Sequence, residues 1–248
     1  MSLFWVSLVS LWTWLVLVIC VFLWLPLMLL ARLGTLSDPG RYWVGYLFRQ
    51  IGVVTARLTP WWKFSYRGAM PADPRNPYVV VSNHESFTDI LLISHLPWEM
   101  KWLSKAELFR IPFMGWLMVL AGDVPVKRGF GPSAVEAMAR CREILAHRVS
   151  VMIFPEGTRS PTRDLLPFKD GAFRLAVEAG VPILPLALRG TATALRKHDW
   201  RIGRSTAIVE VLQPVETTGL TLEDIPALKE RVRGVIVDAR DRLARELG

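Results

Sequence analysis

A histidine and an aspartate stand five residues apart in the stretch Ser82-Asn83-His84-Glu85-Ser86-Phe87-Thr88-Asp89, which directly follows a short apolar run. On a continuous helix their side chains would point about 140° apart, because each residue turns the helix by about 100°. They can meet only if His84 lies in a loop and Asp89 lies in the first turn of the next helix. The Ser-x-x-Asp spacing predicts such a start, with Ser86 as N-cap and Asp89 at the third position of a capping box.

A pair of this kind could transfer protons. The carboxylate of Asp89 would fix the tautomer of the imidazole and stabilise the imidazolium, which leaves the other ring nitrogen of His84 available as a base. The spacing alone leaves an alternative open, in which Asp89 only caps a helix and His84 is an ordinary loop residue.

A second motif, Phe154-Pro155-Glu156-Gly157-Thr158-Arg159, also ends an apolar run. It brings together backbone N–H groups, a hydroxyl and a guanidinium, and arginine can bind phosphate through two parallel hydrogen bonds. The motif alone leaves open a surface turn with an exposed Arg159. Further basic residues follow predicted strands or turns at Lys105, Arg128 and Lys169. Each of these by itself indicates a solvated charge.

The elements that must position these motifs follow from the hydrophobic pattern. Apolar runs rich in β-branched residues occupy 78–81, 150–154, 183–188 and 207–211, and helical patterns occupy about 87–96, 133–147, 171–179 and 223–247. This alternation predicts an α/β domain over residues 66–248, with a single mostly parallel sheet flanked by helices. Ligands bind at the carboxyl ends of strands in such sheets, which is where both motifs stand.

Residues 1–65 are predicted to associate with a membrane as two hydrophobic helices. No charged residue occurs from Leu3 to Ala31, and as a helix this run would be roughly 40 Å long, against a hydrocarbon core of about 30 Å. From Arg41 to Trp62 the arginines recur every eight residues opposite an apolar side, which indicates a helix in the lipid–water interface. The pair Trp61-Trp62 is typical of rings at head-group depth. A hairpin in one leaflet and a single span followed by a surface helix both remain open.

The positive charge of the chain is concentrated beside this apolar segment. The formal net charge is +8, and residues 1–67 hold one acid, Asp38, against six basic residues: Arg32, Arg41, Arg49, Arg57, Lys63 and Arg67. At this place the positive charge would meet anionic lipid head groups. It therefore predicts binding to a membrane surface and not to nucleic acid. Under the positive-inside rule we expect the α/β domain on the cytoplasmic side of the inner (plasma) membrane.

The composition excludes several other classes of protein. The chain has 248 residues, of which 52% are apolar and 21% charged, and such a chain is not disordered. Two cysteines and four histidines are too few for a disulfide framework or a Cys-based zinc site, so no metal is predicted. The absence of a G-x-S-x-G elbow disfavours a serine esterase. A G-x-G-x-x-A stretch begins at Gly129, but Pro132 removes a backbone N–H that a dinucleotide would need.

Taken together, four blocks of the sequence resemble the glycerolipid acyltransferase family, and most closely its 1-acyl-sn-glycerol-3-phosphate (lysophosphatidic acid) acyltransferases. His84 through Asp89 is similar to the family's H-x4-D motif. Gly122 through Arg128 is similar to a second block, a glycine followed by apolar residues and ending in arginine. Phe154 through Arg159 reads as F-P-E-G-T-R, and Val181 through Pro185 reads as V-P-I-x-P.

The resemblance implies direct acyl transfer without an acyl-enzyme. His84 would take the proton from the free glycerol hydroxyl and Asp89 would orient His84. The hydroxyl oxygen would then attack the thioester of acyl-CoA or acyl-carrier protein. These donors are co-substrates, and no further cofactor is implied. The hydrophobic N-terminus would seat the site at bilayer level, so that the acyl chains need not enter water, which costs about 0.8 kcal/mol per CH₂.

The resemblance also implies which residues bind the acceptor. The phosphate of lysophosphatidic acid would be held by the turn that comprises Glu156, Gly157, Thr158 and Arg159. Lys105 and Arg128 match positions that the family associates with acceptor binding. The second block departs from the family, because Pro125 and Lys127 stand where bulky apolar and acidic residues are frequent.

Several alternatives remain open from the sequence. The acceptor could be glycerol 3-phosphate, another lysophospholipid or a lyso-aminolipid. A membrane protein that binds lipid without catalysis is a further alternative, although it would be expected to lack His84 or Asp89. The sequence does not fix the acyl donor, the acyl-chain length or the oligomeric state.

Overall fold

A computed structural model describes residues 3–160, 164–196 and 198–248 of the chain. Its seven strands form one sheet in the order β1-β7-β6-β2-β5-β3-β4, and only the β6–β7 pair is antiparallel. The strands are β1 (Trp62–Gly68), β2 (Val79–Ser82), β3 (Met100–Lys105), β4 (Val124–Val126), β5 (Ser150–Ile153), β6 (Ile183–Arg189) and β7 (Ser205–Val211). The predicted α/β fold with a mostly parallel sheet is confirmed.

Helices cover both faces of the sheet. They are α1 (Leu3–Gly34), α2 (Tyr42–Leu58), α3 (Asp89–Ile93), α4 (Met114–Ala121), α5 (Gly131–Ala146), α6 (Gly171–Ala179) and α7 (Ile225–Leu247). The alternation of side chains along β2 separates two cores. Val79 and Val81 pack with α5, α6 and α7, whereas Val80 packs with α3 on the other face. The central strands are therefore apolar on both sides, as parallel strands between two helical layers must be.

The four apolar runs and the four helical patterns after residue 67 correspond to β2, β5, β6, β7 and to α3, α5, α6, α7, with ends that differ by a few residues. Strands β1, β3 and β4 are not among the four predicted apolar runs. Strand β1 is polar and lies at the sheet edge with a largely exposed face. Strand β4 has only three residues. Strand β3 carries the buried Lys101, which interrupts the apolar run expected of a central strand.

Helix α1 is the one helix in the described part of the chain that is long and apolar enough to cross a membrane, judged by length and composition. A stripe along it is buried against the rest of the protein: Ser10, Thr13, Val16, Cys20, Val21 and Met28. Fifteen large apolar side chains on its other sides are exposed, between Leu3 and Leu33. The helix therefore lies along the domain and presents a continuous apolar surface outward.

Helix α2 packs between α1 and the sheet, and this overturns one expectation about its arginines. The side chain of Arg49 is only 6% exposed and lies over buried carboxylates. The prediction that the arginines of this segment all face head groups is wrong for Arg49, because its guanidinium binds Asp123 in the core instead. Burial on several sides is possible because α1 covers one side of α2 and the sheet with α3 and α4 covers others.

The buried guanidinium of Arg49 belongs to a cluster of four charges that joins α2 to β3 and to the residue before β4. Arg49 binds both carboxylate oxygens of Asp123, and its Nε lies 3.5 Å from Glu99. Lys101 Nζ lies 2.9 Å from Glu99 and donates to the carbonyl of Arg41 at 2.8 Å. Glycine at position 45 permits this approach, since a Cβ there would lie 2.1 Å from a Glu99 oxygen. Two acids and two bases pair within the core, so no charge is left alone.

Trp62 also differs from its expected position at head-group depth. It begins β1, is buried, and stacks on Phe64 with ring centroids 5.2 Å apart. The boundary drawn between residues 65 and 66 falls inside β1, which pairs with β7 over its full length. The pairing makes residues 62–65 part of the sheet.

Candidate active site

The turn that carries His84 leaves the carboxyl end of β2 in the centre of the sheet. Asn83 fixes its start, because its side-chain amide donates to the carbonyl of Leu188 at 3.0 Å and accepts the N–H of Leu188 at 2.9 Å. The side chain thus continues the β2–β6 pairing by one residue. After this point the chain turns away from the sheet and the next side chain, His84, projects into a cavity.

The imidazole of His84 and the carboxylate of Asp89 are in contact. Nδ1 of His84 lies 2.8 Å from Oδ2 of Asp89, which is fully buried. The same oxygen accepts the backbone N–H groups of Glu85 at 2.7 Å and Ser86 at 3.0 Å. Three donors therefore hold one carboxylate oxygen, and the carboxylate fixes the imidazole with Nδ1 protonated.

The expected capping box forms in part. Asp89 accepts the N–H of Ser86, as the third residue of a capping box should. The hydroxyl of Ser86 does not complete it: it accepts from the Thr88 hydroxyl at 3.1 Å and donates to the carbonyl of Leu195 at 3.0 Å. Helix α3 begins at Asp89, later than predicted, and the hydroxyl of Ser86 connects the turn to the neighbouring loop at Leu195.

Phe154 supports the other face of the imidazole. Its ring stacks on that of His84 with a centroid distance of 4.0 Å and an interplanar angle of 17°. With Nδ1 bound to Asp89 and one face covered, the ring can present Nε2 to the cavity. In the sequence, Phe154 is only the first residue of the second motif, and no sequence signal distinguishes a stacking partner from a core phenylalanine.

Glu156 joins the two motifs. One of its carboxylate oxygens accepts the N–H of His84 at 2.8 Å, and the other accepts the N–H of Leu166 at 2.9 Å. The residue is buried, and burial raises the pKa of its carboxyl group. This geometry gives Glu156 the task of holding the backbone of His84 in place, in addition to lining the cavity.

The turn after β5 brings Arg159 to the same cavity. Gly157 adopts φ 71°, a left-handed conformation that suits glycine, and its N–H donates to the carbonyl of Phe154 at 3.0 Å. The N–H of Ser160 then donates to the carbonyl of His84 at 3.2 Å. The side chain of Arg159 lines the cavity, whereas Gly157 and the exposed Thr158 are not among its lining residues.

Three more arginines line this cavity, which has a volume of about 380 Å³: Arg189, Arg196 and Arg240. Arg189 ends β6 and pairs with Glu85 at 3.0 Å. Burial raises the pKa of the Glu85 carboxyl, as does the charge of Asp89 nearby. Of the described residues that line the cavity, four are arginines and three are acidic, Glu85, Glu156 and Asp164, so the lining has an excess of positive charge, which suits an anionic ligand.

Sequence reasoning missed these three arginines for different reasons. Arg189 follows a buried strand, and the rule that ligands bind at carboxyl ends of strands could have singled it out. Arg240 lies on α7, far along the chain from every motif. Arg196 stands in a loop with no recognisable pattern. Only the fold places them beside His84.

Lys105 and Arg128 also stand at or just after the carboxyl ends of strands, but they lie away from the cavity of His84. Lys105 ends β3, is 49% exposed and lies 3.6 Å from Glu107. Arg128 follows β4, the edge strand, and is exposed. Neither is among the residues that line the cavity of His84. The structure thus brings together His84, Asp89, Glu156 and Arg159 but leaves these two basic residues apart from them.

A second, apolar cavity of about 440 Å³ lies between the N-terminal helices and α3 and α4. Phe87, Ile90 and Leu91, which surround Asp89 in sequence, form one wall, and α1 forms another with Trp14 and Val21. A narrow void of about 20 Å³ shares Leu195 with the cationic cavity, and it shares Trp14, Leu17, Phe87 and Leu91 with the apolar one. Space for an apolar chain therefore begins close to the His84–Asp89 pair.

No group of three histidine, cysteine, aspartate or glutamate side chains placed to hold a metal ion occurs in residues 3–160, 164–196 and 198–248. The carboxylates next to His84 are used in other ways: Asp89 binds the imidazole, Glu156 binds backbone N–H groups, and Glu85 pairs with Arg189. The arrangement can perform acid–base chemistry at an imidazole beside a bound anion and an apolar chain.

Comparison with known proteins agrees with this geometry. A family model described as "Acyltransferase" matches residues 63–189. The 1-acyl-sn-glycerol-3-phosphate acyltransferase alpha of Homo sapiens is 41% identical over 169 residues, which is 67% of this chain and 60% of the relative. The 1-acyl-sn-glycerol-3-phosphate acyltransferase of Saccharomyces cerevisiae is 34% identical over 168 residues, 66% of this chain and 55% of the relative. The chain thus spans less than two thirds of the length of either protein.

Among solved structures, the fold is similar to that of the 1-acyl-sn-glycerophosphate (LPA) acyltransferase PlsC from Thermotoga maritima. The TM-score is 0.82 at 24% sequence identity, and the match covers 98% of both chains. The matched family segment contains the His84–Asp89 turn, the Glu156–Arg159 turn and the cavity-lining end of β6. The chain belongs to the acyltransferase family, as its four sequence blocks predict.

Proposed function

We propose that the protein is a membrane-bound acyltransferase that moves a fatty acyl group from a thioester to the sn-2 hydroxyl of lysophosphatidic acid, giving phosphatidic acid. The observation that carries the proposal is the His84–Asp89 contact at the wall of a cavity lined by four arginines. An imidazole base, a phosphate-binding wall and an adjoining apolar cavity are the three features that such a reaction requires.

The chemistry is a direct transfer. Nε2 of His84 removes the proton of the acceptor hydroxyl while that oxygen attacks the carbonyl carbon of the thioester. The carbon–sulfur bond breaks, and the thiolate leaves with the proton that the imidazolium returns. Asp89 stabilises the imidazolium between these two proton transfers, because its carboxylate is 2.8 Å from Nδ1.

The acceptor's phosphate lies among the arginines. Arg159 and Arg189 approach the cavity from the ends of β5 and β6, and Arg196 and Arg240 approach from a loop and from α7. A phosphomonoester carries nearly two negative charges, so it gains more from several guanidinium groups than a zwitterionic head group does. This favours lysophosphatidic acid over a lysophospholipid with a choline or ethanolamine head group.

The donor's acyl chain occupies the apolar cavity between α1 and α3. The cavity is lined almost entirely by apolar side chains and lies next to the helix that begins with Asp89. Arg49 and Asp123 also line it, and their paired charges would oppose the entry of a hydrocarbon chain on that side. The thioester carbon would then lie beside His84. Both acyl-CoA and acyl-carrier protein present such a thioester.

Helix α1 holds the protein in one leaflet. Its buried stripe extends from Ser10 to Met28, a rise of about 27 Å and nearly the thickness of the hydrocarbon core. A perpendicular crossing would therefore draw the polar domain into the hydrocarbon, which is costly. We infer that the exposed apolar side of α1 lies in lipid beside the domain, on the cytoplasmic side, with α1 and α2 as a hairpin in one leaflet.

Full-length protein in mixed micelles tests the proposal when acyl-CoA and acyl-carrier protein are each offered with lysophosphatidic acid, lysophosphatidylcholine and glycerol 3-phosphate. We expect phosphatidic acid as the main product, with at least one donor. Equal rates with lysophosphatidylcholine and lysophosphatidic acid would show that the arginines do not select the acceptor. Lipid binding without any acyl transfer would contradict the proposed activity.

A further inference from the structure

The loop of residues 198–204, here called the Trp200 loop, connects the cationic cavity to α1. On the cavity side, Leu195 and Ile202 form an antiparallel bridge, and the N–H of Gly203 donates to the carbonyl of Ala194 at 2.9 Å. The carbonyl of Leu195 accepts the hydroxyl of Ser86 at 3.0 Å. The base of the loop is thereby attached to the turn that carries His84.

Helix α1 holds the outer side of the same loop. The indole N–H of Trp14 donates to the carbonyl of Trp200 at 2.8 Å, and the N–H of Ile202 donates to the hydroxyl of Ser10 at 2.9 Å. Ser10 is fully buried. Two of the few polar groups on a highly apolar helix are thus used to position this loop, so the loop stays at a fixed height relative to the apolar surface of α1.

Tryptophan rings surround this junction without being enclosed by protein. Trp200 is 48% exposed and Trp12, which donates its indole N–H to the carbonyl of Leu58, is 46% exposed. The guanidinium of Arg204 lies 5.6 Å from the centre of the Trp61 ring. Half-exposed indoles beside basic groups are typical of the lipid–water interface, where the ring meets acyl chains and the N–H meets polar groups.

The charge of the segment fits the same environment. Residues 196–204 contain four basic residues and one acid. Asp199 pairs with Arg201 at 2.9 Å within the loop, which leaves Arg204 and the cavity-lining Arg196 on either side of it to attract anions. A basic, aromatic loop fixed to an apolar helix has the composition of a surface that binds anionic lipid.

We propose that the Trp200 loop is a second lipid-binding element, which places Trp200 at head-group depth and binds anionic lipid head groups through Arg204. Because the adjoining residues Leu195 and Arg196 line the cationic cavity, contact of the loop with the membrane places the opening of that cavity at the lipid surface. The inference rests on the proposed function only in requiring a membrane. The contact itself can be measured without any turnover.

The contact is tested with an environment-sensitive fluorophore on Trp200→Cys in the full chain, since both native cysteines are buried. Vesicles of phosphatidylcholine and phosphatidylglycerol carry a spin label on the head group. We expect the probe at position 200 to shift to the blue and to be quenched. A probe on Leu15→Cys, on the exposed side of α1, is the positive control, and one on Val135→Cys, on α5 across the sheet, is the negative control.

The charge is tested by comparing binding to vesicles with and without phosphatidylglycerol. Arg204→Gln should lower the preference for the anionic vesicles about fivefold, the equivalent of about 1 kcal/mol for one basic residue at the surface. Arg231→Gln, an exposed arginine on α7, should leave that preference unchanged. The ratio of binding to the two vesicle types cancels the apolar contribution of α1, because that contribution is the same for both types.

An unquenched probe at position 200, with the Leu15 probe quenched, overturns the inference and leaves the proposed acyltransferase activity untouched. An unchanged lipid preference in Arg204→Gln overturns the assigned role of Arg204. A quenched probe on a protein that transfers no acyl group would instead refute the proposed function and keep the lipid contact.

Discussion

Asp89 binds His84 through a carboxylate oxygen that is itself held in place by backbone hydrogen bonds. Oδ2 of Asp89 is 2.8 Å from Nδ1 of His84 and also accepts two backbone N–H groups from the residues between them. The five-residue spacing works because the chain between the two side chains is a tight turn and not a helix. An imidazole fixed in this way has one defined tautomer and one nitrogen available for the substrate.

Replacing Asp89 by Asn should lower kcat by about 10²- to 10⁴-fold, the usual contribution of a positioned acid–base group. The neutral amide no longer stabilises the imidazolium. Its NH₂ group is also a donor, so it cannot accept the backbone N–H groups of Glu85 and Ser86 as Oδ2 of Asp89 does. Steady-state kinetics with lysophosphatidic acid measure the effect. The KM should change little, because Asp89 is fully buried beneath the cavity. A loss confined to KM would contradict its role as the residue that orients His84.

Arg189→Gln should raise the KM for lysophosphatidic acid about tenfold, the equivalent of about 1.4 kcal/mol, because one of four guanidinium groups at the phosphate is lost. The kcat should change less. Arg231→Gln on α7 is the matched control and should behave like the unmodified protein. If Arg189→Gln has the control's KM, the phosphate lies away from the end of β6.

Glu85→Gln should change how stability depends on pH. Burial, and then the charge of Asp89, raise the pKa of the Glu85 carboxyl in the folded protein. A carboxyl group whose pKa is higher in the folded than in the unfolded protein stabilises the fold when it is protonated. This contribution is complete below the unfolded pKa of about 4.3, and it is lost as the pH rises through the folded pKa. Glutamine does not titrate, so the variant should gain free energy of unfolding, relative to the original protein, between those limits.

Urea unfolding of both proteins at about pH 4 and about pH 8 brackets the ordinary glutamate pKa and provides the measurement. The difference in free energy of unfolding between Glu85→Gln and the original protein should be more favourable to the variant at the higher pH. A difference that is the same at both values would mean that the ion pair with Arg189 cancels the burial of Glu85.

Arg49→Met should destabilise the fold by about 3–5 kcal/mol, because it leaves the Asp123 carboxylate charged and without its main partner in the core. Thermal or urea unfolding in detergent measures this. Arg57→Met, an exposed arginine on the same helix, is the matched control. The double variant Arg49→Met/Asp123→Asn should recover part of the loss. Equal stability of the Arg49 and Arg57 variants would show that the buried pair contributes nothing.

The sequence predicted the features that depend on local pattern. The runs around Val80 and Ile153 identify the central strands, and the polar residues directly after them identify the site, because a parallel sheet brings the ends of its strands to one edge. The close contact of His84 with Asp89 could be anticipated from the Ser-x-x-Asp helix start, although the serine itself bonds elsewhere.

What the sequence did not reveal depends on contacts between distant segments. Arg49 has the spacing of an interfacial arginine, but three-dimensional packing places it over Asp123, which stands 74 residues further along the chain. Arg240 reaches the cavity from the last helix. Trp62 belongs to an edge strand whose partner, β7, is more than 140 residues away. No local pattern encodes such pairings.

The assignment of His84 as the base is tested by the rate at which the His84→Ala variant forms phosphatidic acid. We expect the variant to fold with the unfolding transition of the original protein, to bind vesicles as well as that protein does, and to lose acyl transfer by about 10²-fold or more. Acyl transfer at the original rate by this folded variant would contradict the assignment of His84 as the base and, with it, the mechanism proposed for the protein.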